Sequence, residues 1–436
     1  VQVSLAASLT TEQQRVVDLI KRRKSVFFTG SAGTGKTWLL SHLLKALPKA
    51  GTAVTASTGV AACAIGGSTI HTFAGITATT AENNAWDDEI RRVARNAEAV
   101  KRWRTTKLLV IDEVSMMDSL LFSGLARMAC ALRGNGRPFG GMQLVLCGDF
   151  FQLPPVSKRG EARKFCFEAE EWKACVPNCV ELTKVFRQSE GAFVDILNDI
   201  RWGKVTDAAL DTLNQRWAAS ISGFDDGILP TLLFTHRHDV DRVNGQLLEE
   251  LPGRSVRHDT HDWVGVPYPV RFESQCPAKA CIVLKENAQV ILVKSVSPTE
   301  GLTNGARGIV TGFSGAAKFP VVRFVNGKEL VVRPETWSIK AGGRVVATRK
   351  QLPLSLAWGL SIHKSQGMTL DRVEVCLARC FEYGQAYVAL SRATSLHGLV
   401  LRSKLERSSI RAHPKALEFM NNVRGNPPQN LNLKPM

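Results

Sequence analysis

"GSAGTGKT", residues 30–37, decides the fold. It follows the apolar run Ser25–Phe28 and precedes a helical pattern, the strand–loop–helix context of a phosphate-binding loop G-x-x-x-x-G-K-[ST]. A chance match in a chain of this length is expected about once in a hundred. Gly30, Gly33 and Gly35, with Thr34 between them, let backbone N–H groups close around phosphate oxygens. Lys36 reaches the β- and γ-phosphates, and Thr37 holds Mg²⁺ at the helix start. The competing reading of the loop alone is a glycine-rich turn that binds no nucleotide.

Working outward, short apolar runs at 25–28, 51–56, 107–112 and 142–149 alternate with helical segments. That alternation is the pattern of a parallel sheet with crossover helices. A second set, at 179–185, 229–235, 371–378 and 398–402, predicts a second domain of the same kind. The region near 302–352 is rich in Gly, Val and short strand patterns, with a hairpin turn at Asn326–Gly327, and reads as a small inserted β-barrel. Residues 76–106 carry "DDEIRRVARNAEAVKRW" and predict a short surface helix. The fold class is therefore α/β. Residues 1–75 and 107–180 form one motor-like domain with 76–106 inserted. Residues 181–301 and 353–424 form the other, with 302–352 inserted, and 425–436 is a frayed tail.

The chain has 436 residues, too many for one core, so two to four domains are expected. Hydrophobic residues make up 44%, charged residues 22%, and the mean hydropathy is −0.05, as in globular proteins with ample core. Lys+Arg exceeds Asp+Glu by 56 to 39, a net charge of +17. Such a charge suits a polyanion-binding surface, but does not choose between DNA, RNA and acidic lipid. Ten cysteines without a C-x-x-C pair read as reduced structural thiols and not as a zinc site. No run approaches eighteen apolar residues, so no membrane span is expected. The chain opens at Val1, so any targeting segment is expected outside it.

"LLVIDE" (108–113) ends a strand in two carboxylates. Asp112 suits Mg²⁺, and Glu113 suits a general base that polarises attacking water, which favours a hydrolase over a kinase. "CGDFFQLPPV" (147–156) ends another strand and offers Gln152 either as an ordinary loop residue before Pro-Pro or as a γ-phosphate sensor. Arg187 in "VFRQ" and Arg392 in "YVALSRATS" read either as surface arginines or as charge-stabilising fingers.

In order along the chain stand "LTTEQQ", "GSAGTGKT", "ASTGVAACAIGGSTIHTFAGI", "LLVIDEVSMMD", "RPFGGMQLVLCGDFFQLPPV", "ELTKVFRQ", "GLTNGARG", "LSIHKSQGMTLD" and "GQAYVALSRATS". From about Leu9 to Val400 the chain resembles the helicase core of the PIF (petite integration frequency) family, superfamily-one DNA helicases related to RecD. The resemblance implies two RecA-like domains, an SH3-like β-barrel at 302–352 and a wedge-like insert at 76–106. It implies ATP and Mg²⁺ as cofactors and 5′→3′ movement on single-stranded DNA. It further implies unwinding of duplexes, forks, RNA–DNA hybrids and G-quadruplexes in genome maintenance, by a monomer, in nucleus or mitochondrion.

Residue by residue, the resemblance makes Gln13 the adenine reader, Lys36 and Thr37 the phosphate-loop pair, and Asp112 and Glu113 the metal and base carboxylates. Gln152 becomes the sensor, Arg187 and Arg392 the fingers, and Gly367 the glycine that lets the 361–370 loop approach nucleotide and strand. DNA contacts fall to Thr58, Gly59, His71, Phe73, Pro154, His363, Lys364 and Ser365. Taken without the family, His71 and His363 read as buried, hydrogen-bonded histidines. The helix at 119–136 is less charged than the family's signature segment, so no partner contact is carried over there. An RNA helicase, a DNA-loading factor with a silent motor, and an oligomeric ATPase with fingers in trans are the alternatives. Tolerance of the 2′-OH separates the first from a DNA motor. The intact catalytic set and the fingers in the same chain speak against the other two.

Overall fold

Apolar runs form the parallel sheet of the first part of the chain. The computed structural model describes residues 9–76, 86–155, 164–188, 190–217, 219, 227–265, 270, 272–297, 300–341, 344–377 and 380–425. Its contacts divide the chain into two units. One comprises Val1–Ser57, Ile70–Phe186 and Ala412–Met436; the other comprises Thr58–Thr69 and Arg187–Arg411.

In the first unit the strands run in the order Thr52–Ala56, Leu108–Asp112, Gln143–Cys147, Val26–Gly30, Asn178–Leu182, all parallel. Every residue of Val26–Gly30 and Leu108–Asp112 is buried, as central parallel strands covered on both faces require. The strand at 178–182 corrects the expectation that 179–185 opens the second domain: it pairs with Val26–Gly30 from Asn178 to Leu182. Its apolar spacing announces a strand, but nothing local announces which sheet takes it.

Phe27 packs against Phe150 and Trp172 at centroid distances of 5.0 and 5.9 Å. Helix Pro414–Val423 adds Phe419, stacked on Phe167 at 4.4 Å, and Arg424 pairs with Glu181 at 2.6 Å. The closing helix thus belongs to the first unit, which corrects the expected grouping of 353–424 in the second domain. Phe419 is half-buried there, and its apolar contact together with the Arg424–Glu181 pair ties this distant segment to the first unit.

Residues 86–105 form two helices and not one surface helix. Trp86–Ala94 ends before Asn96, whose side chain accepts from Ala99 N at 3.0 Å and starts Ala97–Thr105. Trp86 and Trp103 are buried, and Trp103 lies 5.0 Å from Phe73. Gly124, on helix Ser119–Arg133, makes room for Trp86: a Cβ there would stand 1.9 Å from its ring.

The second unit holds a parallel sheet ordered Gly359–Ser361, Thr231–Phe234, Val373–Val375, Leu399–Leu401. The first of these strands has three residues and was not read from the sequence. A β-rich body is inserted in this unit. Its five-stranded antiparallel sheet is ordered Glu329–Val331, Phe319–Phe324, Arg307–Ser314, Gln289–Leu292, Leu354–Leu356. Leu284, Val290, Leu292, Val310, Val322 and Leu354 fill its core. Strands Val256–Asp259, His261–Val264 and Cys281–Leu284 belong to the same β-rich region, so the insertion starts well before 302. The turn at Asn326–Gly327 forms as expected, with Gly327 at φ +79°. Among the described residues no helix is long and apolar enough to cross a membrane. The expected fraying of the tail lies, from 426 on, outside the described residues.

Candidate functional site

The loop 30–37 leaves the carboxyl end of strand Val26–Gly30 and enters helix Lys36–Ala46. Gly33 and Gly35 adopt φ of +86° and +80°, a region L side chains avoid. Gly30 is required by space: a Cβ would meet Leu182 O at 2.5 Å and Thr34 Oγ1 at 2.7 Å. Lys36 Nζ donates to Gly30 O at 2.7 Å and Ser31 O at 3.0 Å, and Thr34 Oγ1 donates to Ser31 O at 2.8 Å. Thr37 follows in the first helical turn, exposed. The helix start is an anion site by its own dipole.

Asp112 ends strand Leu108–Asp112, buried, with Oδ1 accepting from Glu113 N at 2.9 Å. Burial pushes its carboxyl up from the ordinary aspartate value, opposed by the Glu113 N–H, the Cys147 thiol and the Lys36 charge. Lys36 and Asp112 both stand at the carboxyl end of the sheet, where ligands of open α/β sheets bind. Glu113 sits at φ +53°. Its carbonyl accepts from Ser57 Oγ at 2.7 Å, which helps to hold an otherwise disfavoured backbone in place. Gln152 is buried; its N–H donates to Asp149 O at 2.9 Å and its side-chain nitrogen to Asp149 Oδ2 at 3.4 Å.

Gln13 lies beside the phosphate loop, its Nε2 3.3 Å from where a Gly35 Cβ would stand. It also closes a capping box: Thr10 N donates to Gln13 Oε1 at 3.1 Å, and Gln13 N to Thr10 Oγ1 at 3.3 Å.

Arg187, Arg392 and the 361–370 stretch belong to the second unit. Arg187 Nη1 donates to Ser391 O at 3.1 Å, and burial lowers the guanidinium's pKa. Arg392 is buried and donates to Val388 O at 2.8 Å, Ser391 Oγ at 2.9 Å, Met368 O at 3.2 Å and Ser365 O at 3.3 Å. Burial excludes the surface-arginine reading for Arg392, whereas Arg187 is half-buried and held by its bond to Ser391 O. The 361–370 stretch starts as the end of strand Gly359–Ser361 and becomes the short helix Ile362–Ser365, capped by Ser361. Gly367 has φ +78° with open space around its Cα, so backbone conformation and not crowding selects glycine there.

The predicted DNA contacts divide. Lys364 is exposed, and His363 is half-buried with Nε2 3.8 Å from Glu382 Oε2. Burial lowers the pKa of both His363 and His71. Pro154 is half-buried. Ser365 is buried and its hydroxyl donates to Ile362 O at 2.8 Å, so it is spent inside the helix. Phe73 points into the core against Trp103 and offers no face to a base, which corrects its assignment. Thr58 caps helix Gly59–Ala64 by accepting from Ala61 N at 3.2 Å, and Gly59 is buried. Their segment groups with the second unit, where Cys63 Sγ donates to Gln275 O at 3.2 Å. With Lys294, Asn304 and Trp337 the segment lines a cavity of about 380 Å³. Ser57, Gln188 and Ser391 were not singled out. Gln188 and Ser391 pair across 203 residues, beyond any local pattern.

A parallel sheet with G-x-x-x-x-G-K-T at the end of one strand and Asp-Glu at the end of another defines a P-loop nucleotide-binding protein. The family model described as PIF1-like helicase matches residues 8–210, and that of the DNA helicase Pif1 2B domain matches 268–313. The human ATP-dependent DNA helicase PIF1 is 44% identical over 97% of this chain, which spans 65% of the human protein's length. The crystal structure of Pif1 helicase from Candida albicans is 39% identical with a TM-score of 0.77, covering 95% of this chain and 99% of that one. Pif1 from Bacteroides, solved with ADP-AlF3 and single-stranded DNA, is 30% identical with a TM-score of 0.65, covering 96% and 98%. The chain belongs to the PIF1-like helicase family.

Proposed function

We propose that this chain is the motor core of an ATP-dependent DNA helicase that moves 5′→3′ on single-stranded DNA. The observation that carries it is that the glycine loop with Lys36 and the Asp112–Glu113 pair both stand at the carboxyl ends of strands of one parallel sheet. Family membership and a relative solved with both nucleotide and single-stranded DNA support the polymer. Duplexes, forks, RNA–DNA hybrids and G-quadruplexes are the substrates, in genome maintenance in nucleus or mitochondrion, by a monomer.

The residues fit a bound Mg²⁺: Asp112 is a buried, acceptor-only group beside the phosphate loop, and a cation would compensate its burial. Thr37 and Asp112 would hold the ion, which when bound neutralises charge between the terminal phosphates. Lys36 exchanges its two loop carbonyls for phosphate oxygens. Glu113 orients and deprotonates the attacking water, and Gln152 reports the γ-phosphate. Arg187 and Arg392 stabilise charge in the transition state. The β-rich body is the inserted barrel, and helices 86–105 are the wedge.

Unwinding of duplexes bearing a 5′ or a 3′ single-stranded tail tests the polarity. Activity on the 5′ tail alone is expected; activity on the 3′ tail alone overturns it. An all-RNA tail in the same assay separates an RNA motor.

A further inference from the structure

Gln188 is buried, one residue after Arg187. Its side-chain nitrogen donates to Ala393 O at 2.9 Å and to Ser391 O at 3.4 Å. Two carbonyl acceptors fix the orientation of this amide, because its oxygen in that place would face oxygen. The Ser391 carbonyl also accepts from Arg187 Nη1 at 3.1 Å, and the Ser391 hydroxyl accepts from Arg392 Nη2 at 2.9 Å. Residues 391–393 are thus a short bracket from which both arginines hang. The bonds run on into the 361–370 loop. Arg392 donates to Ser365 O and Met368 O, and its own carbonyl accepts from Leu370 N at 2.9 Å.

We propose that Gln188 is a positioning residue that sets both arginines, and through Arg392 the 361–370 loop, in register for the γ-phosphate. The inference rests on reading Arg187 and Arg392 as fingers. Gln188 touches no substrate; it holds the backbone to which the fingers are tied. Losing the amide frees the bracket, and a misplacement of about 1 Å at a catalytic group costs about a hundredfold in rate. A carboxylate in its place would face two carbonyls with no proton to offer, so it should do more harm than truncation. The tie from Arg392 to Ser365 and Met368 also means that a finger leaving for phosphate must release the loop. That links nucleotide state to strand grip through a few named bonds.

The test compares Gln188→Ala and Gln188→Glu with Arg187→Ala and Arg392→Ala in the chain as it stands. It reads kcat and KM for ATP at saturating single-stranded DNA, affinity for ADP–aluminium fluoride relative to ADP, and the thermal midpoint. Gln188→Ala should lower kcat about tenfold, and Gln188→Glu further, with KM for ATP within about twofold. The analogue's advantage over ADP should vanish while the thermal midpoint stays within about 3 °C. Parental kcat and analogue affinity in both Gln188 variants, with the arginine variants inactive, overturn the inference alone. Parallel losses of kcat, ADP affinity and thermal midpoint indicate a merely structural role and also overturn it. Parental turnover in the arginine variants overturns the finger reading first, and the inference with it.

Discussion

The Lys36 ammonium donates to the Gly30 carbonyl at 2.7 Å, so the phosphate-binding cation is held by the loop that will present it. These bonds are replaced, not added to, when phosphate arrives. Lys36→Ala should therefore leave the fold intact, with a thermal midpoint near the parent's. The rise in midpoint that ATP gives the parent should disappear, because stabilisation by ligand follows affinity for the folded state. A parental rise in the variant would show that phosphate is bound elsewhere.

Glu113, the proposed general base, sits at φ +53°. An L residue there costs about 1–2 kcal/mol that glycine avoids. Glu113→Gly should thus be more stable than Glu113→Ala by about 1 kcal/mol, the reverse of the order in helices, while both lose turnover by at least about a hundredfold. Urea unfolding monitored by circular dichroism gives the order. An alanine variant more stable than the glycine variant would mean the backbone is not strained.

Gly124 sits mid-helix, where alanine ordinarily gains about 1 kcal/mol. Here the added carbon would overlap the Trp86 ring. Gly124→Ala should destabilise by about 1–3 kcal/mol and shift Trp fluorescence toward that of a hydrated indole, as Trp86 is displaced from its pocket. Unchanged fluorescence and a raised thermal midpoint would contradict the packing.

Lys364 and His363 should separate by salt and pH. Lys364 is exposed and charged, so Lys364→Ala should reduce the salt slope of DNA binding by about 1. Burial holds the His363 pKa below the ordinary histidine value, so the ring is neutral at neutral pH and His363→Gln should leave the slope unchanged there. As pH falls through that lowered pKa, the parent gains a cation and its slope steepens; the His363→Gln variant should lack that part of the change. Fluorescence anisotropy titrations at several salt concentrations measure both. A neutral-pH loss of slope in His363→Gln would mean the ring is charged in the complex.

Much of the nucleotide site was legible because its residues are contiguous. Gly30 to Thr37 and Asp112–Glu113 each form one motif whose chemistry dictates its spacing. Strand membership was not: 178–182 looks like any strand until Val26 pairs with Asn178. Strand Gly359–Ser361 is too short for periodicity to show. Phe73 was assigned to bases on the family resemblance of its segment, yet the helix Ile70–Ala74 turns it onto Trp103. The bracket at Ser391 joins residues two hundred positions apart, where only the folded chain carries the information.

The most direct measurement is steady-state ATP hydrolysis with and without single-stranded DNA, with Lys36→Ala as the blank. Hydrolysis that DNA stimulates strongly, and that the variant abolishes, is the outcome expected of a motor that couples the phosphate loop to the 361–370 grip. Hydrolysis indifferent to DNA, or equal in the variant, would contradict it.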